Sequence, residues 1–169
     1  HCSEEFHLVI PGEMSNLRRL HDVDEGENLW RRWNQVVCPM DSVKPIDRRR
    51  GWSFRQVQAY NRERFVDMLA AGWDLVIIDE AHRLGGSSEQ VARYKLGEAL
   101  AESSPYLLLL SATPHQGKTD NFRRLMAFLD KNHFIGEDAV SREKVEPYVI
   151  RTEKRVAIDA DGNPLPDEV

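Results

Sequence analysis

The feature that most constrains the fold is a pair of short apolar runs, Leu75-Val76-Ile77-Ile78 and Leu107-Leu108-Leu109-Leu110, each stopping abruptly in small or polar residues. The first leads into Asp79-Glu80-Ala81-His82, and the second, opened by Tyr106, leads into Ser111-Ala112-Thr113-Pro114. Unbroken runs of Val, Ile and Leu without polar alternation read as parallel strands buried on both faces. Between them, residues 88–102 place Ala92, Leu96, Ala99 and Leu100 at i, i+4, i+7 and i+8, one apolar stripe of a helix. Strand, helix and strand in this order make a right-handed βαβ crossover. The expected class is therefore α/β, a parallel sheet with helices on both faces. Its polar residues fall at strand C-terminal ends, where open α/β sheets take their ligands.

Two adjacent carboxylates at the mouth of a buried strand need a partner, because desolvating unpaired charge costs several kcal/mol. A divalent cation is one such partner. Asp79 could hold Mg²⁺ directly or through water, while Glu80 could orient and deprotonate a water attacking a γ-phosphate. The other is a helix start, in which the pair satisfies the first N–H groups of a following turn. The residues alone leave both open.

Asp79-Glu80-Ala81-His82, followed one crossover later by Ser111-Ala112-Thr113, resembles motifs II and III of superfamily two helicases. The longer stretch Leu107-Leu108-Leu109-Leu110-Ser111-Ala112-Thr113-Pro114-His115-Gln116-Gly117-Lys118, with Phe122, Leu125 and Leu129 after it, resembles the SWI/SNF-related branch and its bacterial RapA/HepA-like enzymes. Tyr148-Val149-Ile150-Arg151-Thr152-Glu153-Lys154 is similar to the basic segment near the end of that family's first RecA-like lobe. The resemblance implies that residues 1–156 are the C-terminal part of this lobe and residues 157–169 an exit toward a second lobe. It implies ATP and Mg²⁺ as cofactors, with Asp79 as metal ligand, Asp79 and Glu80 facing the nucleotide, and Glu80 as the catalytic base. His82, Ser111, Ala112 and Thr113 would couple nucleotide state to the second lobe; the plainer reading of His82 is a buried, satisfied polar residue. Asp41 and Ser42 match the region of motif Ib, which faces the nucleic-acid backbone, and Gln116 and Lys118 fall on the same expected surface. Nucleic acid, double-stranded DNA above all, and the second lobe are the implied partners. Some bacterial relatives serve in phage defence, an assignment that no residue here decides.

No Gly-x-x-x-x-Gly-Lys-Ser/Thr occurs in the sequence, so the backbone cradle and lysine for β- and γ-phosphates are lacking. The expectation is a piece of a longer protein, part of the motor of an ATP-dependent, nucleic-acid-stimulated translocase and inactive by itself. The alternative is a non-catalytic module that keeps the lobe fold to dock protein or nucleic acid. A sheet without the strand and helix that flank such a cradle would expose apolar surface and strand edge, which favours self-association.

The formal charge of −5 does not suggest an autonomous nucleic-acid binder. No apolar run approaches the roughly 18 residues of a membrane helix and no signal-peptide pattern opens the chain, so it reads as cytoplasmic and membrane-free. Cys2 and Cys38 lack metal-type spacing and read as structural, Cys38 within a strand. Arg48-Arg49-Arg50-Gly51 could neutralise phosphates, but the favoured reading is a flexible solvated loop. Further expectations are strands at residues 6–10 and 148–150, a strand and its exit at 35–43, a short helix at 14–20, and indoles of Trp30 and Trp33 packed on the domain. Ser53 should cap a helix carrying Phe65, Met68 and Leu69, and Thr119 or Asp120 one carrying Phe122, Leu125, Met126 and Leu129.

Overall fold

A computed structural model describes residues 5–24, 26–85, 91–112, 119–135 and 140–151. In chain order its elements are β1 (His7–Leu8), α1 (Met14–Leu20), β2 (Val36–Val37), α2 (Met40–Val43), α3 (Phe54–Asn61), α4 (Asp67–Leu69), β3 (Leu75–Ile78), α5 (Val91–Ser103), β4 (Tyr106–Leu109), α6 (Thr119–Leu129) and α7 (Arg142–Val145). β1 pairs in parallel with β2, His7 opposite Val36. β3 pairs in parallel with β4, Leu75 opposite Tyr106 through Ile78 opposite Leu109. The βαβ crossover read from the sequence is thus present.

Ser53 starts α3 through a capping box: its Oγ accepts from the Gln56 N–H, and the Gln56 Oε1 accepts from the Ser53 N–H at 2.8 Å. A π-helical turn, Arg62–Val66, joins α3 to α4. Gly72, at φ +85°, then turns the chain into Trp73, whose indole N–H donates to the Met68 carbonyl at 2.8 Å. Trp30 is fully buried and donates its indole N–H to the Glu63 carbonyl, while Trp33 stacks on His7 at 3.9 Å. Both indoles pack on the domain, as expected.

The main core gathers Ile78, Ala81, Leu84, Leu96, Leu100 and Met68, with Val76, Leu107 and Leu109 packed against it. Alternate side chains of the same strands face the other way, and among the described residues nothing covers them. Leu75 is 53% exposed, Ile77 56%, Tyr106 69% and Leu108 46%. Leu8 and Val37 are exposed in the β1–β2 pair as well. The expectation of strands buried on both faces is corrected here: the parallel α/β fold is present, but the described helices cover one face only.

Residues 148–150 do not form a strand. Glu146–Tyr148 is a 3₁₀ turn with Pro147 in its first positions, where a missing N–H costs nothing, and Val149 and Ile150 run on unpaired and exposed. Of residues 35–43, expected as a strand and its exit, Val36–Val37 is the strand, and the exit turns helical over Met40–Val43. Cys38 therefore sits just past a strand, and burial pushes its thiol up to about 11. Cys2 lies outside the described residues.

Candidate active site

β3 ends at Ile78, and Leu110 N–H donates to the Ile78 carbonyl while Ala81 N–H donates to the Leu110 carbonyl, both at 2.9 Å. These two bonds fasten the turn Asp79-Glu80 to the end of β4. Past it, Ala81–Leu84 forms a 3₁₀ turn whose Ala81 and Leu84 are completely buried. Apolar residues thus anchor the turn from below while both carboxylates remain exposed above.

Glu80 adopts φ 50° and ψ 42°, a left-handed conformation costing a non-glycine residue about 1–2 kcal/mol. The turn is closed by the Asp79 Oδ1, which accepts from the Glu80 N–H at 2.8 Å. The conformation leaves the Glu80 Oε2 3.0 Å from the His82 Nδ1, and the same nitrogen lies 3.2 Å from the Ser111 Oγ. A carboxylate oxygen accepts only, so its approach favours the tautomer with the proton on Nδ1. His82, less exposed than Glu80, therefore links the acidic turn after β3 to Ser111, two residues past β4.

Of the residues singled out from sequence, Asp79, Glu80, His82 and Ser111 come together in this way. Ala112 follows Ser111 and is exposed. Thr113, Gln116 and Lys118 lie outside the described residues. Asp41 and Ser42 sit in α2 at the exit of β2, where the Ser42 N–H donates to the Pro39 carbonyl at 3.0 Å. The Asp41 carboxylate is gripped by Arg93 from α5 in a two-pronged fork, Nε to Oδ1 at 2.7 Å and Nη2 to Oδ2 at 2.8 Å. Lys44 approaches Oδ1 at 3.1 Å and Arg83 approaches Oδ2 at 3.4 Å. The Arg93 hydrogen bonds, aided by Lys44, hold the Asp41 carboxyl well below the usual carboxylate range. Arg83 and Arg93 escaped the sequence reading, because pairings 42 and 52 residues apart have no local spacing to announce them.

Asp79 Oδ2 has no protein partner among the described residues, and no group of three or more His, Cys, Asp or Glu there could hold a metal by itself. Mg²⁺ is held through one or two carboxylates together with water and phosphate oxygens. A lone carboxylate of this kind suits an ion held mainly by water and phosphate oxygens rather than a metal cage made of protein alone.

The family described as the SNF2-related domain matches residues 23–157, a range containing both strand ends and the crossover between them. The chain belongs to the SNF2-related family of helicase-like ATPases. It is 34% identical over 146 residues to the RNA polymerase-associated protein RapA of Vibrio cholerae serotype O1 (strain M66-2), covering 85% of this chain and 13% of that protein. Identity to RapA of Vibrio parahaemolyticus is 39% over 146 residues, with the same coverage of each. With RapA of Pseudomonas aeruginosa (strain LESB58) it reaches 51% over 84 residues, or 48% of this chain and 9% of the relative. The chain thus spans 13% of the length of the first two of these relatives. Among its described residues no helix is long and apolar enough to cross a membrane.

Proposed function

We propose that this chain is the part of an ATP-driven, nucleic-acid-stimulated translocase that activates the hydrolytic water and passes the state of the nucleotide onward. The observation carrying this reading is the contact of Glu80 and Ser111 with one nitrogen of His82. Bound Mg²⁺ would neutralise charge on the transferring phosphoryl group. Asp79 would hold that ion, and Glu80 would orient a water for in-line attack and take its proton. The Glu80 carboxylate would then lose its charge, weakening its attraction to His82 and freeing that side chain toward Ser111. A change at the phosphate would in this way reach the end of β4, from which the chain runs on toward Ala112 and Thr113.

In the longer protein, the stretch supplying the phosphate cradle would cover the bare faces of β3 and β4, and a second lobe would close over the carboxylates. Double-stranded DNA is the proposed track and the cytoplasm the proposed compartment. The isolated chain, lacking that cover, is expected to self-associate through Ile77 and Leu108; a monomer by light scattering at high concentration would refute this part. The reading as a whole is tested in the full-length protein by duplex-stimulated ATP hydrolysis with Asp79→Asn. Abolished hydrolysis is expected, and a rate matching the unaltered protein would refute it.

A further inference from the structure

The arginine run was expected to be a flexible loop, yet the structure gives it a built form. The Trp52 N–H donates to the Arg49 carbonyl at 3.1 Å, closing a turn over Arg50 and Gly51, and Gly51 takes φ +79°, the left-handed position such a turn requires. On one flank, Asn61 of α3 brackets Ile46 with two hydrogen bonds, donating to its carbonyl at 2.8 Å and accepting from its N–H at 2.9 Å. On the other, the Ser53 capping box fixes the start of α3. The loop is thus held at both ends to one helix.

Its side chains are supported as well. The Arg49 guanidinium lies 4.3 Å from the centre of the Trp52 ring, Trp52 meets Tyr60 edge to face at 5.5 Å, and the Arg64 guanidinium lies 4.2 Å from the Tyr60 ring. Arg48, Arg49 and Arg50 are exposed, and among the described residues none is engaged in an ion pair. The nearest carboxylate in sequence, Asp47, is directed to Lys95 at 3.8 Å. Three neighbouring like charges without a counter-charge repel one another, and their proximity becomes favourable when an anion binds.

We infer that the turn formed by Arg48, Arg49 and Arg50 on its Trp52–Tyr60 support is a docking platform for the phosphate backbone of duplex nucleic acid. The assignment rests on the proposed motor reading for the identity of the track, not for the anion site itself. The backbone is favoured over bases because stacking on single strands uses open aromatic faces, and Arg49 and Arg64 each already cover one face, of Trp52 and Tyr60 respectively. Guanidinium contacts to phosphate position a protein without reading sequence, as a translocase requires.

The test is anisotropy of a labelled mixed-sequence duplex across a salt series, using the full-length protein. Changing Arg48, Arg49 and Arg50 together to Gln should flatten the slope of log K against log salt by about 0.9 for each phosphate no longer neutralised, up to about 2.7. Affinity at low salt should fall at least about tenfold, with nucleotide hydrolysis in the absence of nucleic acid unchanged. The triple Lys variant keeps the charge and should keep the slope. An unchanged slope in the Gln variant, an equal loss in the Lys variant, or a larger loss for a single strand than for the duplex would each overturn the inference. Duplex binding is read without hydrolysis, so a protein that binds but never hydrolyses ATP sinks the motor reading alone. An active ATPase with an unchanged slope sinks the platform alone.

Discussion

Replacing Glu80 with Gln tests the chemistry of that position because the side chain keeps its shape while losing its charge. The amide oxygen can still face the His82 Nδ1, which lies 3.0 Å from the carboxylate, and the backbone N–H can still donate to Asp79. The left-handed backbone costs Gln as much as Glu. The side chain is more than half exposed, so removing its charge leaves no unpaired group in the core. What disappears is the ability to take a proton, together with the charge that attracts His82. Loss of a positioned base reduces turnover by about 10²–10⁴, and the lower end corresponds to about 2.7 kcal/mol of barrier. The expected result in the full-length protein with duplex present is a single-turnover rate at least ~100-fold lower, with ATP affinity and melting temperature little changed. A rate within about threefold of the unaltered protein would remove Glu80 as the base. A weakened affinity with a normal single-turnover rate would reassign it to binding.

Ser111→Ala removes one of the two groups facing the His82 Nδ1 and should lower translocation, measured by triplex displacement, more than ATP hydrolysis; an equal loss of both would refute the relay. Gly97→Ala would place a Cβ 2.9 Å from the Phe128 Cζ and 3.2 Å from the Leu84 Cδ1. Overpacking of this kind costs about 1–3 kcal/mol, so a thermal melt should drop measurably, and an unchanged melt would mean that α5 and α6 part freely. Asp41 is held below its ordinary pKa by Arg93, so its contribution to stability is present above about pH 4, its unfolded value, and is lost as pH falls further. The melting difference between the unaltered protein and Asp41→Asn should accordingly shrink between neutral pH and about pH 3, and a difference independent of pH would refute the ion-pair account.

The crossover was legible because two signals agreed, apolar runs of strand length and an apolar stripe of helical period between them. The acidic turn was legible because its carboxylates stop an apolar run where no helix pattern continues. Burial of the strands was not legible. Leu107 and Leu108 are the same residue type, yet Leu107 packs on the core and Leu108 is exposed, since a run of leucines has no alternation to tell its faces apart. What covers a face is a property of the other segments present. The grip of Arg93 on Asp41 was hidden for the same reason, being made by tertiary packing between α2 and α5. The order of the arginine turn lay half in view. Gly51 and the Ser53–Gln56 spacing could be seen, whereas the ladder from Arg49 to Tyr60 exists only once α3 is wound.

The acidic turn is anchored through its backbone and left free at its side chains, and each half of that division serves the proposed chemistry. Ala81 and Leu84 are fully buried beneath the carboxylates, and the bonds between Ile78, Leu110 and Ala81 tie the turn to β4. Positions fixed in this way need no reorganisation when a nucleotide arrives, and reorganisation is the cost that preorganised sites avoid. The Asp79 and Glu80 carboxylates stay in water, where charge costs little, and in the proposed motor a bound phosphate and a closing lobe would take them out of it. Leu84→Ala in the full-length protein would test the anchor rather than the chemistry: the cavity should cost about 2.7–5 kcal/mol, and the surviving folded protein should hydrolyse ATP more slowly although neither carboxylate has changed.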